Sequence, residues 1–390
     1  LFIYYCIPKQ LSRCYELYQL VIRVCNCRHG TLYFMCLISR HSNHLELAHE
    51  GESTMLNFFW LRDHCRCPSC WNAKTLQKNV RSVLDDSFET SHITILCLFL
   101  GPDGHNSSYS LPWLFENDPK RSLVSKVKKI LWNGESYSSL KIERVKYNDF
   151  MNEEESMKIF LKNLAMYGFV PADLEHTQKV SERVGPIQDT LFGKTWSFEA
   201  DGSRADTAYT NIALGAHTDM TYYQHTAGIQ VFHCLYHDGK GGETLMEDAF
   251  YCATKLKESN PEAYDVLANT YVRHDYIEPS HGQHSQSLAT IIQHHPLTKE
   301  IEYNNYDRLT VNTIPHDQIM KFYHSVKALS DIVEDDTNVH YEKLWPGSVI
   351  FLDNWRVMHG RKAFTGKRIV GGNYLGRDTW TSRARALGVI

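Results

Sequence analysis

The chain has 390 residues, with 41 Lys and Arg against 45 Asp and Glu, a formal net charge of −4, and 43% hydrophobic residues. That length suits one large domain plus a smaller one. The balance excludes the strongly basic face of a nucleic-acid binder, and no apolar run reaches the roughly 18 residues of a membrane span.

Residues 1–45 are poor in acids and carry Lys9, Arg13, Arg23, Arg28 and Arg40. They read as a variable N-terminal segment of organelle-transit type, with a buried or interfacial helix as the alternative. Of the 11 cysteines, Cys6, Cys14, Cys25, Cys27 and Cys36 fall here, and the long C-terminal part is nearly free of them. That distribution argues against a secreted disulfide framework.

Residues 46–118 read as a small β-rich module. Apolar runs over 54–61 and 92–100 have strand length, and a Gly-Pro-Asp-Gly turn occupies 101–104. Cys65, Cys67 and Cys70 follow the first run. Three thiolates with one imidazole make a closed tetrahedral zinc site, and His105 in the turn region is the chosen fourth ligand. His64 is poorly placed to share the ion. Reduced, unliganded surface cysteines are the alternative.

Residues 119–150 read as a polar connector. A helix is predicted over 152–167, capped by Asn152, with Met157, Phe160, Leu161, Leu164 and Tyr167 on one face and Gly168 as its stop. Further helices are predicted over 177–184, 249–258, 262–269 and 316–333. Strands are predicted over 228–236, 270–277, 300–303, 348–352 and 368–374. Helices early and strands later give an α+β architecture with a mainly antiparallel sheet or barrel.

The chemistry centres on 208–219, which ends in the chain's one His-x-Asp triplet, His217 and Asp219. Alternate residues of a strand share a face, so imidazole and carboxylate can converge on one metal ion. His359, at the end of the apolar run 351–361, supplies a second histidine. Two His and one carboxylate with the remaining positions open form the facial triad of non-heme Fe(II) oxygenases. A 2-oxoglutarate cosubstrate also needs a fixed cation and a hydroxyl for its far carboxylate. Arg368 and Thr244, the latter in Gly241-Gly-Glu-Thr244, suit that task. A zinc hydrolase would have no use for those two residues.

The ordered set H-x-D, G-G-x-T, N-W-R-x-x-H-G-R and a downstream Arg resembles the γ-butyrobetaine/trimethyllysine dioxygenase family of the taurine dioxygenase-like superfamily. The similarity covers about residues 46–388 by motif order. Segments such as Trp60-Leu-Arg-Asp-His-Cys and Asp353-Asn-Trp-Arg-Val-Met-His-Gly-Arg361 favour the trimethyllysine branch. The resemblance implies a double-stranded β-helix (jelly-roll) catalytic domain over 140–390, preceded by a zinc-binding domain over 46–118.

It further implies hydroxylation of trimethyllysine at C3, coupled to decarboxylation of 2-oxoglutarate to succinate and CO2, at the start of carnitine synthesis. The alternatives are γ-butyrobetaine hydroxylation or an inactive family member. The resemblance makes His217, Asp219 and His359 iron ligands and gives the 2-oxoglutarate contacts to Arg368 and Thr244. Cys65, Cys67, Cys70 and His105 match its structural zinc site. Trp196, Tyr209 and Tyr374 match rings of a quaternary-ammonium pocket, Phe192 stands where a Tyr is usual, and Asp206 matches an acidic position. Cation–π attraction suits a group with no N–H to donate. Asn304, Asn305 and Arg308 are candidates for the amino-acid end of the substrate. Ascorbate as reductant, a homodimer and the mitochondrial matrix (alternatively the cytoplasm) are implied as well. One departure is a stretch over 167–176 several residues shorter than the family's.

Overall fold

In the computed structural model, the described residues are 17–390 without 28–29, 42, 50, 80–92, 95–97, 101–104, 110, 119–126, 174–175, 202–206, 294–307 and 309–310. The chain divides into two compact units, Leu1–Val124 and Ser125–Ile390.

The first unit contains a four-stranded antiparallel sheet, Leu17–Cys27, Gly30–Arg40, His44–His49 and Glu52–Asn57, paired in chain order. Strands therefore run through much of the segment 1–45. Leu45, Leu47 and Leu56 alternate with more exposed neighbours and are at most 1% exposed, which aims one sheet face at Phe58, Leu61 and Leu114. The run 54–61 is not one strand. Asn57 accepts the Phe59 N–H through its side chain and starts the helix Phe58–Asp63. A capping Asn outweighs the β-preference of the aromatics that follow. The run 92–100 is described only as the short strands Ile93–Thr94 and Leu98–Leu100, and the turn 101–104 lies outside the described residues.

The second unit is a double-stranded β-helix. The chain shuttles between a six-stranded and a four-stranded sheet. Trp196–Glu199, Ile229–His237, Ser348–Asp353 and Arg368–Leu375 lie in the larger. Leu214–His217, Thr244–Asp248, His340–Glu342 and Val357–Arg361 make the smaller. Pairing among these eight strands is antiparallel throughout. Helix Glu154–Tyr167 lays Met157, Phe160, Leu161 and Leu164, all 0% exposed, with Val170, Val231 and Phe351 of the larger sheet in one core cluster. Each such side chain contributes about 1.5–3 kcal/mol on burial. Ala249–Ser259, Pro261–Asn269 and Ile319–Val333 make a second cluster with Met358.

Several sequence expectations shift by local chemistry. Asn152 ends a preceding helix, Tyr147–Asn152, and the long helix begins at Glu154 without a side-chain cap. Gly168 does end it, at φ 86°. The connector 119–150 is not merely polar: Trp132 is 1% exposed and its indole N–H donates to the Tyr167 carbonyl at 2.8 Å. The short stretch 167–176 still forms the strand Phe169–Asp173, in register against Ser348–Asp353. The predicted strand 300–303 lies outside the described residues. Among them, no helix is long and apolar enough to cross a membrane.

Candidate active site

His217 and His359 face each other as a cross-strand pair of the smaller sheet. Their ring centroids are 4.6 Å apart. Asp219 follows where the strand ends, and its Oδ1 lies 3.3 Å from His217 Nε2 and 3.6 Å from His359 Nε2. Metal bonds of about 2.0–2.2 Å at right angles put neighbouring donor atoms about 3 Å apart. The two Asp219–histidine separations of 3.3 and 3.6 Å lie close to that spacing, and all three donor atoms fall within 4.8 Å of one another. His217 Nδ1–H donates to the Gly215 carbonyl at 2.8 Å, which fixes Nε2 as the lone-pair nitrogen. Burial holds the His359 imidazole below its ordinary value against the opposing pull of Asp219. Burial alone would raise the Asp219 carboxyl, but the facing His359 and His217 hold it well below the usual carboxylate range. Two neutral imidazoles and a carboxylate are the protonation states a metal ion requires.

The triad opens onto a cavity of about 330 Å³. Its lining contains Phe192, Trp196, Tyr209, Tyr374, Thr244 and Arg368, all named from the sequence. Trp196 and Tyr374 approach to 5.7 Å between ring centroids. Arg368 is 7% exposed and makes no ion pair among the described residues. Its ring partner is Phe364, at 5.5 Å. Gly242 stands at φ 68°, and a Cβ there would sit 3.3 Å from Arg368 Nε. The second glycine of G-G-x-T therefore leaves room for the arginine stem. A buried guanidinium without a carboxylate is costly unless a ligand supplies one.

The lining also contains residues that sequence reasoning missed: Phe198, Met220, Tyr222, Gln230, Phe232, Tyr276 and Arg361. Tyr276 comes from the hairpin of Tyr271–Glu278 with Gln283–Thr290, and its ring lies 5.0 Å from Tyr222. Gln230 is 0% exposed, and neither side-chain polar atom has a hydrogen-bond partner among the described residues. The alternation of its strand was the available signal, since Gln230 and Phe232 share one face. Arg308 is not in the lining; it lies over Phe322 at 5.7 Å. Asp206, Asn304 and Asn305 lie outside the described residues.

Other residues of N-W-R-x-x-H-G-R hold the frame. Arg356 and Asp248, each 1% exposed, form a buried two-pronged ion pair at 2.8 and 3.1 Å. Arg356 also donates to the carbonyls of Met166 and Ile130. Arg361 donates to the carbonyls of Thr207, Ala208 and Thr210, pinning the turn that presents Tyr209.

Residues 141–373 match the family model described as taurine catabolism dioxygenase TauD, TfdA family. The chain is 41% identical over 372 residues to the Mus musculus protein named trimethyllysine dioxygenase, mitochondrial, covering 91% of this chain and 88% of that one. The Homo sapiens protein of the same name is 39% identical over 373 residues, with the same coverage. The chain belongs to the trimethyllysine dioxygenase family. It is thus an Fe(II)- and 2-oxoglutarate-dependent dioxygenase of the TauD type. Gamma-butyrobetaine dioxygenase of Pongo abelii is more distant, at 27% identity over 363 residues, 87% of this chain and 93% of that one.

Residues 37–115 match the family model described as gamma-butyrobetaine hydroxylase-like, N-terminal. There the Sγ atoms of Cys65, Cys67 and Cys70 lie 3.3, 3.4 and 3.4 Å from one atom, His105 Nε2. Tetrahedral zinc, with bonds of about 2.3 Å to sulfur and 2.0–2.1 Å to nitrogen, separates those atoms by about 3.5 Å. One imidazole nitrogen cannot hydrogen-bond three thiols together, whereas one ion binds all four groups. None of these cysteines is in a disulfide. Burial, reinforced by Cys67, pushes the Cys70 thiol up to about 11, so a bound cation would have to displace its proton.

Proposed function

We propose that this dioxygenase hydroxylates N6,N6,N6-trimethyllysine at C3, coupled to oxidative decarboxylation of 2-oxoglutarate to succinate and CO2. That reaction is the first step of carnitine biosynthesis. The observation that carries it is one cavity holding the His217, Asp219 and His359 donors, an Arg368 with no ion-pair partner among the described residues, and a wall of aromatic rings. The relatives named trimethyllysine dioxygenase are also closer in sequence than the one named for butyrobetaine.

In this reading His217, Asp219 and His359 hold Fe(II). Iron with bound 2-oxoglutarate supplies the dioxygen activation that C–H hydroxylation needs. Arg368 binds the far carboxylate of 2-oxoglutarate, with Thr244 as its hydroxyl partner. Phe192, Trp196, Tyr209 and Tyr374 surround the trimethylammonium, at about 0.5–2 kcal/mol per ring. Asp206 adds a point charge toward that cation. The cavity walls exclude water and present one C–H bond to the metal. Cys65, Cys67, Cys70 and His105 hold a structural zinc ion, closed to substrate by its four protein ligands. Ascorbate keeps the iron reduced. The division into a zinc-binding domain over 46–118 and a catalytic domain over 140–390, the homodimer and the mitochondrial matrix belong to the same reading. The mitochondrial names of the mammalian relatives support the last.

The test feeds trimethyllysine and γ-butyrobetaine separately to one preparation with Fe(II), 2-oxoglutarate and ascorbate. Mass detection should find one added oxygen on trimethyllysine, with matching succinate. Oxygen added to butyrobetaine alone reassigns the substrate. Turnover of neither, with no charge-transfer band on anaerobic addition of Fe(II) and 2-oxoglutarate, favours an inactive member.

A further inference from the structure

The two carboxylate oxygens of Asp219 have different surroundings. Oδ1 faces both histidine Nε2 atoms, at 3.3 and 3.6 Å. Oδ2 accepts the phenol O–H of Tyr374 at 2.8 Å. The backbone of the same residue is also tied down. Asn354, 0% exposed, accepts the Asp219 N–H through Oδ1 at 2.9 Å and returns a bond from Nδ2 to the Asp219 carbonyl at 2.9 Å. A further Nδ2 bond, of 3.0 Å, reaches the Ala227 carbonyl. The carboxamide thus does for Asp219 what a neighbouring strand would do. It acts just where the chain leaves its strand and Met220 enters the left-handed region at φ 63°.

We infer that Tyr374 and Asn354 form a bracket that makes Asp219 a one-oxygen metal ligand, Tyr374 holding Oδ2 away from the ion while Asn354 fixes the backbone. The inference rests on the assignment of His217, Asp219 and His359 as metal ligands. It gives Tyr374 a task separate from that of a cage ring, because the ring faces the cavity while the hydroxyl is spent on Asp219. The physical case is a charge-assisted hydrogen bond inside a cavity of low polarity, which both orients a carboxylate and lowers the donor strength of the oxygen it engages. With Oδ2 so engaged, the carboxylate occupies one coordination position. An ion held there would keep room in the cavity for ligands that the protein does not supply. Asn354 adds the link between the two halves of the site. It lies in the turn that leads into the strand Val357–Arg361 bearing His359, so Asp219 and His359 are set relative to each other through it.

The experiment titrates Co(II) into the 390-residue chain with the Cys65, Cys67, Cys70 and His105 site kept loaded with zinc, and follows affinity and the visible absorption spectrum of the ion bound at the histidine-carboxylate site. Tyr374→Phe keeps the ring and removes only the hydroxyl. Loss of an outer partner of this kind weakens metal binding about 10–100-fold. The expected result is weakening in that range with a changed cobalt spectrum, because the freed oxygen is able to join the coordination sphere. Affinity within about twofold of the parent with an unchanged spectrum overturns the bracket, since a pure cage ring acts on substrate binding alone. Asn354→Ala should weaken Co(II) binding to a similar degree. Should that variant fail to fold, the Tyr374→Phe result decides. A parent protein that binds no Co(II) at this site refutes the metal assignment itself, a distinct outcome.

Discussion

Arg368→Met makes two predictions of opposite sign. The guanidinium is 7% exposed, has no carboxylate partner among the described residues, and is pushed below its usual value by burial. In the ligand-free protein it is therefore a desolvated charge whose cost is only partly offset by the Phe364 ring at 5.5 Å. Methionine fills a similar volume without that cost, so the ligand-free variant should be as stable as the parent or more stable. Binding of 2-oxoglutarate should suffer the reverse. Truncating one member of a buried charge pair costs about 2–5 kcal/mol, because the other charge is left buried and unpaired. At about 1.4 kcal/mol per tenfold, that is roughly a 30-fold to several-thousand-fold weaker Kd. The assay is calorimetric titration of 2-oxoglutarate into Mn(II)-loaded protein, alongside urea unfolding of the ligand-free form. An unchanged Kd together with a clear loss of ligand-free stability would refute the reasoning, because Arg368 would then be a structural residue.

Arg356→Ala should lose about 3–5 kcal/mol of unfolding free energy by urea titration, since it strands Asp248 as an uncompensated buried charge. Arg356→Met should lose nearly as much, as it also leaves Asp248 unpaired, whereas an Arg356→Met, Asp248→Leu double change should recover part of it. Glu247, 0% exposed, has its carboxyl raised from 4.5 to about 9 by burial first, with Asp335 and Glu334 adding to it. Folded Glu247 thus keeps its proton between those values while the unfolded chain loses it. Its contribution to stability is complete below about pH 4.5 and declines as pH rises toward 9, by about 1.4 kcal/mol per unit. Glu247→Gln should flatten the fall in urea midpoint between pH 5 and 8, and parallel curves for the two proteins would count against the shift. The zinc assignment predicts one equivalent of zinc per chain by elemental analysis. Cys67→Ser should lower that value and expose the first unit to proteolysis before the second.

Residue type and local spacing carried much of this protein's chemistry into plain view. His217-x-Asp219 announces itself because strand alternation is local, and Cys65, Cys67 and Cys70 do so because three soft ligands in six positions have few other uses. The helix from 177 to 184 was legible to the residue, its apolar spacing and the glycine after it being local signals too. Where short-range rules competed, the sequence misled. The cap at Asn57 turned an expected strand into a helix, and Trp132 lay hidden in a stretch that read as polar.

Tertiary structure alone decided which distant residues meet. His217 opposes His359 only because the chain shuttles between two sheets and the strand bearing each returns to the same ladder. Long-range packing also brings Tyr222 and Tyr276 to the cavity wall, and neither carries a local mark of that role. It also sends the Tyr374 hydroxyl to Asp219 and the Asn354 carboxamide to the Asp219 backbone. A sequence can display ligands, caps and periodicity because they depend on neighbours a few residues away. The partner of a buried hydroxyl depends on strand order, which long-range packing sets.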